Sequence, residues 1–169
     1  MLSCCCAQVG NVGLTLTEQY THMTLWCISG APLLAGTDLI HASNETLAIL
    51  ANKEVTSIDQ DLGKGGAVQG TLVTPSAWVM ETAAADPESS TEVWAKHLAD
   101  GKSVAVALVN LGDAAVDITV HWEELGLAAG TAADVRDLWK QADLGSKTGS
   151  MTASAVPSHG ATFVKLSWK

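Results

Sequence analysis

Two different spacings of apolar residues divide the chain near residue 69. Up to about Val68, helical spacing alternates with short apolar runs. Thr15-Leu16-Thr17-Glu18 predicts a helix start, with Glu18 three residues after Thr15 as a capping box requires. Tyr20, Met23, Trp26 and Cys27 follow at helical spacing, and Gly30 and Pro32 end the run. Pro32-Leu33-Leu34-Ala35, closed by Gly36-Thr37-Asp38, is short enough to predict a strand buried on both faces. Ser43 or Asn44 caps a second helix through Leu47, Ile49 and Leu50. Val55-Thr56-Ser57-Ile58, closed by Asp59-Gln60-Asp61, predicts another strand because β-branched residues dominate it. Helix, strand, helix, strand is the order of βα units in a parallel sheet, but two units cannot close a barrel.

From about Gly70 the period becomes two. Strands are expected over 93–98 and 103–110, flanking the hairpin signal Asp100-Gly101. Residues 115–122 alternate, with Val116, Ile118, Val120 and Trp122 on one face and Asp117, Thr119 and His121 on the other. Further strands are expected over 135–139, 146–153 and 161–168, with turns at Leu111-Gly112-Asp113, Leu144-Gly145 and Ser158-His159-Gly160. Many short strands with regular turns predict an antiparallel sandwich. The stretch 82–91, rich in Ala, Ser and acidic residues, reads as an exposed loop. The expected fold class is therefore α/β plus all-β, with residues 1–69 as βα units and 70–169 as the sandwich.

Composition narrows the partners. The 169 residues are 47% hydrophobic and 16% charged, enough apolar content for a packed core. A net charge of -9, with no basic cluster, argues against nucleic acid and anionic lipid and leaves a neutral ligand such as a sugar open. The longest apolar stretch, 25–35, is too short to cross a bilayer, and Met1-Leu2-Ser3-Cys4-Cys5-Cys6 has no secretory pattern.

Few residues announce chemistry. Cys4, Cys5 and Cys6 lack partners at metal-ligand spacing, and Cys27 reads as a small core residue. Histidines 22, 41, 97, 121 and 159 are scattered, so neither a metal nor another cofactor is expected. Asp38 is the candidate for substrate binding, because it follows a predicted strand of the βα series; the commoner use of such an aspartate is to hold turn N–H groups. Gly63-Lys64-Gly65-Gly66 lacks the spacing of a phosphate loop and reads as a linker. Trp26, Trp94, Trp122 and Trp139 sit on apolar faces as core residues. Asn44-Glu45-Thr46 is a glycosylation sequon that overlaps the second helix cap.

Several stretches together resemble the α-galactosidase family of glycoside hydrolases. They are Val9-Gly10-Asn11, Leu25-Trp26, Ala31-Pro32-Leu33-Leu34, Asp38-Leu39, the run from Leu47 to Val55, and Ile58-Asp59-Gln60-Asp61-Leu62-Gly63. Val93-Trp94-Ala95-Lys96, Leu98-Ala99-Asp100-Gly101, the run from Val104 to Leu108, Val135-Arg136-Asp137-Leu138-Trp139 and Val156-Pro157-Ser158-His159-Gly160 continue it in family order. The resemblance implies the last βα segments of a (β/α)8 barrel followed by a carboxy-terminal antiparallel β-sandwich, with Val55 to Ile58 as the final barrel strand.

The implied activity is hydrolysis of terminal α-D-galactosides with retention, which needs two carboxylates roughly 5 Å apart. The family's nucleophile lies upstream of anything in this chain. Its acid/base aspartate falls where Ser3-Cys4-Cys5-Cys6-Ala7 stands, with no carboxylate. The family also carries Asn where Asp59 stands and Pro directly after the counterpart of Asp61. A catalytically incompetent carboxy-terminal portion is thus the leading expectation. A non-catalytic sandwich module binding sugars or protein is the alternative. A third is a two-part enzyme whose barrel is completed by another polypeptide, and association through exposed barrel surface, including with a second copy, follows physically.

Overall fold

The computed structural model describes residues 7–73 and 91–169. Residues 3–6 and most of the stretch 82–91, both singled out above, lie outside them. Three helices come first: α1 (Leu16–Ile28), α2 (Asn44–Leu50) and α3 (Lys53–Gln60). Among the described residues eight strands follow: β1 (Thr71–Leu72), β2 (Thr91–His97), β3 (Ser103–Asn110), β4 (Val116–His121), β5 (Ala132–Asp137), β6 (Ala142–Thr148), β7 (Ser150–Val156) and β8 (Ala161–Ser167). They form an antiparallel six-stranded sheet in the order β1-β2-β3-β8-β5-β6 and a two-stranded sheet of β4 and β7.

The layers are helices, large sheet, small sheet. Every residue of β3 is buried. Alternation sends Val104, Val106 and Leu108 into a core with Val120, Trp122 and Met151 between the sheets. Ala105, Ala107 and Val109 point the other way, into a second core with Met23 and Cys27 of α1, Val55 and Ile58 of α3, and Phe163 of β8. The small alanines leave room for a helix to lie against the strand. Asp100-Gly101 turns β2 into β3 as expected, with Gly101 at φ +67° and Asp100 accepting from Lys102 N and Ser103 Oγ.

The α1 boundary agrees with its sequence signal. Thr15 Oγ1 accepts from Glu18 N at 3.3 Å, and Glu18 Oε2 accepts from Thr15 N at 2.7 Å. Ser43 caps α2, so Asn44 is its first residue. The expected strand at Val55 to Ile58 is instead α3. Asn52 Oδ1 accepts from Glu54 N and Val55 N, and Val55, Ile58 and Asp59 are buried at helical spacing. A satisfied cap and a helix-shaped face against the sheet override the β-propensity of Val55 and Thr56. Nor is Pro32 to Ala35 buried on both faces. Among the described residues its only pairing is a parallel bridge of Ala35 with Ala7, and Leu34 is 58% exposed.

In the sandwich the errors are local. Leu144-Gly145 is no turn but lies inside β6. Gly145, at φ +78°, sits where the β5–β6 register shifts between Asp134 and Arg136, as a glycine in a bulge does. The turn comes earlier, where Asp137 Oδ1 accepts from Trp139 N and Lys140 N, so Trp139 falls outside the strand. The single strand expected over 146–153 is broken at Gly149 (φ +79°), where the chain leaves the large sheet for the small one. Trp122 begins a 3-10 turn rather than ending β4, yet it is fully buried with Nε1 donating to Thr131 O at 2.9 Å.

Side chains fasten the helical layer to the large sheet and its turns. Arg136 of β5 donates from Nε and Nη2 to both carboxylate oxygens of Glu54 at 2.7 and 2.6 Å, a two-pronged pair. Asn52 Nδ2 donates to Leu138 O, Trp139 Nε1 to Thr24 Oγ1, and Thr21 Oγ1 to His159 O. Tyr20 meets the Trp139 ring edge-on at 4.7 Å. Since Phe163 is fully buried between α1 and the sheet, we expect Phe163→Ala to cost about 3–5 kcal/mol. Urea unfolding followed by circular dichroism measures it, and a loss under about 1 kcal/mol would mean that the helical layer is not packed on the strand.

Candidate functional site

A parallel bridge pairs Ala7 with Ala35. Ala7 N donates to Leu34 O at 2.8 Å and Gly36 N to Ala7 O at 3.1 Å, with α1 as the crossover between the two segments. Beyond the bridge, Asn11 Nδ2 donates to Gly36 O at 3.1 Å and Thr37 Oγ1 bonds Val9 O. Gly10 (φ +85°) lets α2 close in, because a Cβ there would stand 2.6 Å from Thr46 Cγ2 and 2.9 Å from Thr37 Cγ2.

Asp38, the predicted substrate-binding residue, follows this junction on the exposed surface. Its Oδ1 accepts from Ile40 N at 3.0 Å and His41 N at 3.4 Å, and its Oδ2 lies 2.6 Å from His41 Nδ1. The hydrogen bond from His41 and those from the two backbone N–H groups hold its carboxyl below the ordinary range. It therefore performs the turn-holding role common for aspartate. Asn44, the sequon residue, is exposed at the start of α2, while Thr46 is buried with its N–H and Oγ1 bonded to Ser43 Oγ.

A polar cluster that the sequence did not announce lies at the end of α3. Lys96 of β2 is 1% exposed, and its Nζ donates to Ile58 O at 2.6 Å and Asp59 O at 3.3 Å, placing a cation at the negative end of the helix. Burial pushes Lys96 below its usual range, opposed by Asp61 and Asp59. Asp59 is 7% exposed; Gln60 Nε2 bonds its Oδ2, while Oδ1 has no partner. Burial raises the Asp59 pKa, against the Gln60 hydrogen bond and the Lys96 charge. Burial, then the Asp59 carboxylate, pushes the Cys27 thiol up to about 12, so it is no nucleophile at neutral pH. The signal for Lys96 was its place in β2, where alternation puts it on the same face as Trp94.

The other candidates are structural. Asp61 Oδ1 accepts from Gly63 N and Ala99 N, tying the end of α3 to the β2–β3 turn. His22 Nε2 accepts from Gln8 N at 3.0 Å, and its ring stacks on Trp26 at 4.2 Å. Burial lowers the His22 pKa, in keeping with a neutral acceptor. Among the described residues, no group of three His, Cys, Asp or Glu side chains is arranged to hold a metal ion. No described helix is long and apolar enough to cross a membrane.

Comparison with known proteins gives this architecture a class. Residues 6–61 match the family model described as Alpha galactosidase A, and residues 88–166 the one described as Alpha galactosidase C-terminal beta sandwich domain. An alpha-galactosidase of Coffea arabica is 37% identical over 153 residues, covering 90% of this chain and 36% of the relative. A probable alpha-galactosidase of Dictyostelium discoideum is 36% identical, over 94% of this chain and 38% of that protein. The crystal structure of alpha-galactosidase I from Mortierella vinacea superposes with a TM-score of 0.80 at 27% identity, over 95% of this chain and 38% of that one. That of a β-L-arabinopyranosidase from Geobacillus stearothermophilus gives 0.76 at 29% identity, over 92% and 31%. The sandwich and its helical layer are thus those of a glycoside hydrolase. The chain belongs to the α-galactosidase family, as a partial chain spanning little more than a third of the length of the curated relatives it matches.

Asp59 provides a test of the cluster. A folded pKa raised above the unfolded value means that the protonated form is favoured on folding. Its stabilising effect is full below about 3.8, the unfolded value, and is lost as pH rises through the higher folded pKa. We expect Asp59→Asn to stabilise the chain at pH 7 relative to the parent, with the gain shrinking toward pH 3.5. Urea unfolding at the two pH values measures it. A gain that does not change with pH would place the carboxylate in water.

Proposed function

We propose that the chain is the carboxy-terminal part of an α-galactosidase-family glycoside hydrolase and hydrolyses no α-galactoside by itself. In this reading residues 1–69 are the last βα units of the barrel and 70–169 its sandwich. The Ala7–Ala35 pair joined through α1 supports the barrel assignment. In this reading the parent activity is removal of terminal α-D-galactose with retention; the names of the relatives support its α-galactosidase part.

The observation that carries the inactivity is the engagement of the carboxylates. Residues 7–73 contain six acidic side chains. Glu18 closes the α1 cap, Asp38 holds its own turn, and Glu45 bonds within the first turn of α2. Glu54 grips Arg136, Asp59 is buried, and Asp61 holds two backbone N–H groups. None is left to pair with another across a sugar, as a retaining mechanism requires. In this reading Asp38, exposed on the surface while it holds its own turn, also contacts a sugar hydroxyl in the parent enzyme.

The purified chain, incubated with p-nitrophenyl α-D-galactoside, is expected to release no nitrophenol above a protein-free blank. Turnover that Asp38→Asn abolishes would overturn this reading.

A further inference from the structure

We propose that the helix-side face of the large sheet over β8, β5 and β6 is a binding groove for a neutral oligosaccharide. The ligand class rests on the family reading above; the place and the residues follow from strand register.

Val135 and Leu166 point into the core between the sheets. Alternation therefore puts Asp134 and Arg136 of β5, and Lys165 and Ser167 of β8, on the opposite face, the one that α1 covers at Phe163. Register arranges them in two polar rows. Ser167 pairs with Asp134 and Asp134 with Ser146, while Lys165 pairs with Arg136 and Arg136 with Asp143. Rows on one face stand roughly 7 Å apart along a strand, and neighbouring strands about 4.8 Å apart. The described helices reach these rows only at Glu54, which grips Arg136. Two adjoining grooves open there. One, of about 490 Å³, runs over Asp134, Arg136, Asp143 and Lys165. The other, of about 450 Å³, shares Asp134 and Ser167 with the first and ends at Trp168. Each has the volume of a small-ligand site.

The groups left unspent set the chemistry. Arg136 and Asp143 hold each other at 2.9 Å. Among the described residues, the side chains of Asp134, Lys165 and Ser167 make no hydrogen bond or ion pair, in contrast to the engaged carboxylates of the helical half. They offer an acceptor, a charged donor and a hydroxyl at one to two strand spacings, a set that matches the neighbouring hydroxyls of a sugar ring. The charges of Asp134 and Lys165 cancel, so the ligand needs none of its own. An anion is disfavoured, because Glu54 and Asp100 lie within electrostatic reach of Lys165 and the whole chain carries -9.

Titration of the ¹⁵N-labelled full chain with raffinose, a neutral trisaccharide, tests the groove by NMR. Saturable shifts are expected at the amides of residues 131–136, 143–147 and 165–169. The expected Kd is on the order of 1 mM, since an open groove makes few contacts. Asp134→Ala and Lys165→Met should each weaken binding at least about tenfold, with the melting temperature of the chain unchanged. Asp134 is exposed, so its variant reads the groove even where Lys165→Met, at a half-buried position, lowers stability. Thr119→Ala, on the outer face of the small sheet, should bind as the parent does. Absence of saturable shifts up to about 20 mM raffinose, far above a millimolar Kd, overturns the proposal, as do shifts confined to other residues. Tighter binding of trigalacturonate than of raffinose overturns it in favour of an anion site. Self-association that Asp134→Ala abolishes overturns it in favour of a docking face for a second copy. Failure of the reading above would appear separately, as nitrophenol release by the free chain.

Discussion

Burial of β3 on both faces is the constraint from which the rest follows. Val104, Val106 and Leu108 need the small sheet, and Ala105, Ala107 and Val109 need a second cover. A full-length central strand, apolar throughout, has no solvated side, unlike the usual strand of a two-layer antiparallel sheet. The cover is α1 and α3, drawn from the other half of the sequence. Each fully buried Val or Leu contributes about 1.5–3 kcal/mol relative to exposure, so the helical layer is a condition of the large sheet's stability. The close approach at the junction shows the same dependence: Gly70 N donates to Ile28 O at 2.8 Å, and a Cβ on Gly70 would stand 2.6 Å from that oxygen.

That dependence also explains where the charges have gone. Glu54 and Arg136 join α3 to β5, Lys96 closes the carboxy end of α3, and Asp61 binds the β2–β3 turn. Groups that sequence alone presents as candidate chemistry are used to hold helix to sheet. Asp59 is the costly member, a buried carboxyl with one oxygen unpartnered. An asparagine at that position would remove the charge and keep the shape.

The sandwich could be read closely from the chain because its signals are local. Alternation from Val116 to His121 and the Asp100-Gly101 turn each involve neighbours in sequence. The capping box of α1 is equally local and equally readable. Val55 to Ile58 was not, because the cap at Asn52 and the sheet under the helix outweigh β-branched preference, and the sheet is built from residues far along the chain. Gly145 and Gly149 mark a bulge and a change of sheet, uses that a glycine does not distinguish from a turn until its partners are known. Of the candidate site, Asp38 is engaged in its own turn, and the Lys96–Asp59–Cys27 cluster needed three separate elements to meet.

The central claim, that helices and sandwich form one cooperative body through β3, is most directly tested by native-state hydrogen exchange. The amides of Met23, Cys27 and Ile28 in α1 and those of Val104 to Leu108 in β3 should exchange through one shared global opening, with a single free energy and a single denaturant dependence. Exchange of the α1 amides through a separate, cheaper opening that leaves β3 protected would contradict it.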